Sequence, residues 1–173
     1  MSDAALLVAC QQGDRVALER LLSQNAPRVY RWAVMLGLAA HDAEDAAQEV
    51  LATAARRIAT CQSIESLPSW LFQITRRVVS NARRGAWVRR VFRRDDAELE
   101  PAFERASGDP EEELAVRRCF RRLSPMHAEV LLLAGVEGYT VPEVAVMLGI
   151  PEGTAASRLR LARAAFQRLW EEK

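Results

Sequence analysis

A chain of 173 residues, 50% of them apolar, has room for one medium domain or two small helical ones and is too apolar to be disordered. No apolar run reaches membrane-span length, and the opening MSDAALLVACQQGD lacks the basic-then-apolar order of a signal peptide, so a cytoplasmic protein without membrane insertion is expected. Cys10, Cys61 and Cys119 lie far apart, outside any CxxC and with only two histidines, which argues against a disulfide framework and a metal site; the net charge of +1 hides a strong segregation taken up below.

Ala4–Gln11 and Asp14–Gln24 read as short helices, the second capped by Asp14 with Val16, Leu18, Leu21 and Leu22 inward. Pro27 is expected to open a third, in which Val29, Trp32, Ala33 and Leu36 form the apolar stripe and Gly37 is the stop. His41–Arg57 follows, with Asp42 as cap and Val50, Leu51 and Ala54 for packing. Asp45, Gln48 and Glu49 share one polar face, which either complements the helix dipole or docks on a basic partner.

Thr60–Pro68, TCQSIESLP, is a loop by composition. A helix is expected from near Ser69, with Trp70, Leu71, Ile74, Val78 and Val79 inward and Arg76, Arg77, Ser80, Asn81, Arg83 and Arg84 increasingly outward. From Ser66 to Arg94 there is no acidic residue, while Arg76, Arg77, Arg83, Arg84, Arg89, Arg90, Arg93 and Arg94 all fall there; from Asp95 to Glu113 the sign reverses. A basic helix beside a polar loop suits a strand of DNA, whose phosphates arginines neutralise and whose unstacked base a loop pocket holds; the competing reading is a solvated basic face. Val91–Pro110 lacks periodicity and reads as a linker between two helical domains.

Glu111–Arg122 is helical, with Leu114, Cys119 and Phe120 inward, and Ser124-Pro125 starts another helix, MHAEVLLLAGVEG, whose apolar run is long enough to be the core of a compact four-helix unit. The last stretch, GYTVPEVAVMLGIPEGTAASRLRLAR over Gly138–Arg163, has helix-turn-helix spacing. Thr140 and Glu143 form a capping pair, Gly149 ends the first helix in a left-handed conformation, and Pro151 opens the second. In the second helix Ala155, Leu159, Ala162, Phe166 and Leu169 face a core. Thr154, Ser157 and Arg160 fall away from it with Arg158 on the flank, side-chain types that reach base edges and phosphates in a major groove. The alternative at this point is an ordinary helix pair with a solvated arginine face.

DAEDAAQEV (Asp42–Val50), SWLFQITRRVVSNARR (Ser69–Arg84) and LSPMHAEVLLLAGVEGYTVPEVAVMLGIPEGTAASRLRLARAAFQRL (Leu123–Leu169), in this order, resemble a bacterial RNA polymerase sigma factor of the extracytoplasmic-function group. The resemblance implies an all-α fold of two small helical domains joined by a flexible linker: a region 2 domain over 1–90, a linker over 91–110 and a region 4 domain over 111–173, with no further domain after Lys173. It implies three partners, namely RNA polymerase core, promoter DNA and an anti-sigma factor. Asp45, Gln48 and Glu49 match the polymerase-docking face, and Cys61–Leu67 the loop that receives a flipped base of the −10 element. Trp70, Arg76, Arg77, Asn81, Arg83 and Arg84 match the helix that engages that element, and Thr154, Ser157, Arg158 and Arg160 the helix that reads the −35 element. Ala156 stands where lysine is common in the family.

No paired carboxylates, activated nucleophile, metal cluster or phosphate-cradling glycine loop stands out, so neither a catalytic residue nor a cofactor is expected. The rival readings are a stand-alone helix-turn-helix regulator, which leaves Arg76–Arg94 without a purpose, and a helical adaptor with no DNA role.

Overall fold

The computed structural model describes residues 3–92 and 110–172. Among them the chain is all-α, as expected, and has no strand: α1 (Asp3–Gln11), α2 (Arg15–Met35), α3 (Ala40–Arg57), a 3-10 turn (Ile58–Thr60), α4 (Leu67–Phe92), α5 (Pro110–Arg122), α6 (Pro125–Leu131), a π-helical turn (Leu132–Val136), α7 (Val141–Leu148) and α8 (Glu152–Glu171). Two compact units result, the first drawn mainly from 3–33 and 41–92, the second mainly from 110–172. Of the expected linker, Val91, Phe92 and Pro110 belong to helix ends and 93–109 lie outside the described residues, together with Arg93, Arg94 and the acidic run from Asp95 to Asp109.

In the first unit Asp14 caps α2: its Oδ1 accepts the Val16 and Ala17 N–H groups at 2.9 and 3.0 Å. The break expected at Pro27 does not occur, and α2 runs through it without interruption. An interior proline forfeits a helical hydrogen bond and crowds the carbonyl four residues back, about 3 kcal/mol. Against this, one continuous helix carries Val29, Trp32 and Ala33 to complete burial beyond the proline, with Ala17 and Leu21 buried before it. The burial of large apolar side chains outweighs the local penalty.

Two further boundaries shift. α3 starts at Ala40, so Asp42 lies inside the first turn instead of capping it; the strong helix former Ala40 prolongs the helix backwards. α4 starts at Leu67, about half a turn before the expected Ser69, with the Ser66 carbonyl accepting the Trp70 N–H at 2.9 Å. Pro68 is tolerated there because first-turn N–H groups have no helical partner to lose. α4 buries Leu71, Phe72, Ile74, Thr75, Val78 and Val79, and Phe72 meets Trp32 edge to face with centroids 5.2 Å apart. The Thr75 hydroxyl donates to the Leu71 carbonyl at 2.9 Å, which makes its complete burial inexpensive.

In the second unit α8 packs on α5, α6 and α7. Ser124 caps α6, its carbonyl accepting the Ala128 N–H at 2.9 Å. The apolar run that follows supplies Val130, Leu132 and Leu133 to the core but is not one α-helix: its last turn widens to a π turn, closed by the Glu137 N–H on the Leu132 carbonyl at 3.0 Å. At the far end of the unit Phe166 bridges Phe120 and Trp170, with centroids 5.8 and 5.9 Å away.

Candidate nucleic-acid interface

The turn ahead of α8 is made from local parts. Glu143 Oε2 accepts both the Thr140 N–H and its hydroxyl at 2.7 Å, and these two bonds hold the Glu143 carboxyl below its ordinary value. At the other end of α7, Gly149 adopts φ 65°. The Ile150 N–H reaches back to the Ala145 carbonyl at 3.0 Å and the Gly149 N–H to the Val146 carbonyl at 3.2 Å, the pair of bonds that closes a helix with a left-handed residue. Pro151 then precedes α8, its carbonyl accepting the Thr154 and Ala155 N–H groups at 2.9 and 3.0 Å.

α8 buries Ala155, Leu159 and Ala162, with Phe166 and Leu169 half-buried along the same stripe, as the periodicity requires. Of the residues expected to read DNA, Ser157 and Arg160 are exposed, while Thr154 and Arg158, four apart, sit half-buried on the flank. Gly153 and Ala156 are also exposed. The first turns of α8 thus present a face of small residues from which Ser157 and Arg160 project, a shape that admits close approach to a groove.

On α4 the outward residues separate into two strips. Trp70, expected to point inward, is only half-buried and heads one strip, followed at three- and four-residue steps by Gln73, Arg77, Asn81 and Arg84, with Arg77, Asn81 and Arg84 exposed. Arg84 Nη2 donates to Asn81 Oδ1 at 2.5 Å, which aligns these two side chains along the helix. Arg76 and Arg83, seven residues apart, are half-buried on an adjacent strip. The side chains of Arg89 and Arg90 lie outside the described residues.

Where α4 begins, the expected loop is ordered by its own serines. The Ser63 and Ser66 hydroxyl oxygens accept each other's backbone N–H at 3.2 and 3.1 Å, and the Ser66 hydroxyl donates to the Ser63 carbonyl at 2.8 Å. Trp70 Nε1 donates to Thr60 Oγ1 at 3.2 Å, so the indole is pinned against the start of the loop. Cys61 is buried beneath, its thiol pushed up by that burial and directed at the Ser63 carbonyl, 3.4 Å away. The Glu65 carboxyl is held low by its own backbone N–H and by Ser63. Sequence reading named this segment a loop and missed the clasp; the signal was present in the S-x-x-S spacing just ahead of an apolar run.

α3 turns Ala43, Ala46, Ala47, Val50 and Ala54 inward, which leaves Asp45, Gln48 and Glu49 together on its exposed face. The α3 and α4 sets belong to the first unit and the α8 set to the second. Among the described residues no cluster of three or more His, Cys, Asp and Glu side chains is placed to hold a metal ion, and no helix is long and apolar enough to cross a membrane.

Two family models match: Sigma-70 region 2 over residues 21–89 and Sigma-70, region 4 over residues 113–166. The ECF RNA polymerase sigma factor SigM of Mycobacterium tuberculosis is 32% identical over 170 residues, covering 97% of this chain and 84% of the relative. The chain belongs to the ECF sigma factors of the sigma-70 family. ECF sigma factor SigL of the same organism is 28% identical over 160 residues, covering 90% of this chain and 89% of its own. The fold of this ECF sigma factor is similar to that of CnrH, solved in complex with the cytosolic domain of CnrY: TM-score 0.74, 21% identity, 99% of this chain and 98% of that one. It is also similar to the sigma factor RpoE of Bartonella quintana, solved with the anti-sigma factor NepR: TM-score 0.70, 24% identity, 88% and 96% covered.

Proposed function

We propose that this sigma factor directs RNA polymerase core to specific promoters and starts DNA-templated transcription there, without catalytic chemistry of its own and in the cytoplasm. The observation that carries the proposal is that one chain holds two different DNA-suited surfaces, a basic helix headed by a clasped polar loop and a helix-turn-helix with an exposed Ser157–Arg160 face. A strand-holding surface and a duplex-reading surface together are what promoter opening demands.

The division of labour follows the family. Residues 1–90 act as the polymerase-docking and −10 domain, 91–110 as the linker and 111–173 as the −35 domain. Asp45, Gln48 and Glu49 dock on the polymerase. The segment Cys61–Leu67 takes the flipped base, with Trp70, Arg76, Arg77, Asn81, Arg83 and Arg84 along the strand. Thr154, Ser157, Arg158 and Arg160 read the −35 duplex. A near-neutral chain binds promoters weakly alone and gains effective concentration by being tethered to polymerase. An anti-sigma protein restrains it, as NepR accompanies the Bartonella relative.

Run-off transcription with core polymerase on a library of promoter fragments tests this. Transcripts that require the added protein are expected, with a shared motif upstream. Absence of any such transcript, combined with binding of the protein alone to a defined duplex, would replace the proposal with a stand-alone regulator.

A further inference from the structure

The bonds that shape the loop ahead of α4 do not all come from its neighbourhood. Gln11, the last residue of α1, sends Nε2–H to the Cys61 carbonyl at 2.7 Å and lies 3.5 Å from the Ile58 carbonyl, so one side-chain amide spans the 3-10 turn on which the loop stands. α1 packs on that turn, with Leu6, Leu7 and Cys10 buried along its inner face. The Ile58 carbonyl already accepts the Cys61 N–H at 3.0 Å, but the Cys61 carbonyl lies just past the end of the turn, where no helical donor follows, and the Gln11 amide supplies one. Trp70 secures the same turn through Thr60, and the Ser63–Ser66 clasp closes the loop beyond it. Gln11 lies ahead of the 21–89 segment that matches region 2.

We propose that Gln11 is a positioning residue for promoter-base capture: through its amide, α1 holds the Cys61–Ser66 loop in the shape that receives an unstacked base. This rests on the reading of that loop given under Proposed function. Gln11 itself is exposed, so its truncation leaves the buried core intact. What it contributes is the direction of the Cys61 carbonyl, and with it the path of the backbone into Gln62 and Ser63.

The test uses the full chain with core polymerase on a promoter fragment recovered with the unaltered protein, bearing the fluorescent adenine analogue aminopurine at the captured −10 position. Gln11→Met keeps length and removes the donor; Gln11→Lys returns a donor. With Gln11→Met the aminopurine signal is expected to fall about fivefold, in line with the net worth of one hydrogen bond. Core binding should stay unchanged, the melting temperature should fall by no more than the few degrees that one hydrogen bond is worth, and Gln11→Lys should recover most of the signal. An undiminished signal in Gln11→Met overturns the proposal, as does a loss that Gln11→Lys shares together with a much larger fall in melting temperature, since that marks a merely structural residue. If the unaltered protein yields transcripts without any aminopurine signal, the base-receiving role of the loop itself falls, and the proposal with it.

Discussion

α8 and α4 each present a face suited to DNA, and they are introduced in opposite ways. The turn before α8 closes on itself: Gly149, Ile150 and Pro151 bond only to residues a few positions away. The loop before α4 depends on Gln11 from another helix, on Trp70 from the helix it precedes, and on its own serines. A helix that enters a duplex groove needs only to be presented at the right angle, which local stereochemistry accomplishes. A loop that holds a single base needs a shape, and a six-residue shape requires anchors from outside. The second arrangement is therefore the more sensitive to changes at a distance.

Substitutions in the two regions should therefore differ in kind. The largest effect is expected from Phe72→Ala, which removes a fully buried ring from its contact with Trp32 beneath the start of α4. A loss of about 3–5 kcal/mol is expected in urea unfolding followed by tryptophan fluorescence. Next are the arginines. Arg160→Ala should weaken binding by roughly 1–3 kcal/mol on promoters with an intact −35 sequence and relax the preference for it, whereas Arg77→Ala should weaken binding to all promoters alike and reduce the salt slope by about 1. Titrations at several salt concentrations separate the two; equal sequence dependence would erase the distinction between α4 and α8.

Gly149→Ala isolates the local device. A Cβ there meets nothing within 4 Å, so the penalty is backbone strain at φ 65° alone, about 1–2 kcal/mol by thermal unfolding. The smallest effect concerns Glu143. Its folded-state carboxyl is held below the ordinary 4.5 by Thr140, so on acidification the unfolded chain takes up the proton first. The stabilisation is complete at neutral pH and disappears as pH falls through about 4.5 and below. Glu143→Gln should flatten that part of the melting temperature against pH.

Much of this was legible beforehand where the cause is local. The Asp14 cap, the Thr140–Glu143 pair, the left-handed Gly149 and the apolar stripe of α8 all follow from residue type and spacing within one or two turns. The errors lie where a local rule met a larger force. Pro27 reads as a helix start, yet the burial of Val29, Trp32 and Ala33 carries the helix through it. The run after Ser124 reads as one helix, yet it ends in a π turn.

Residue type and spacing were enough for the helical class, the helix-turn-helix and the order of motifs that marks the family, because helical periodicity and caps are read over a few residues. Packing was needed to make Phe72 and Thr75 core, to bury Cys61 under the serine clasp, and to leave Arg76 and Arg83 half-buried while Arg77 and Arg84 are exposed. It alone brought Gln11 to the Cys61 carbonyl. A hydrogen bond across fifty positions leaves no periodic trace in the chain, because neither partner's local conformation depends on it until the helices have packed.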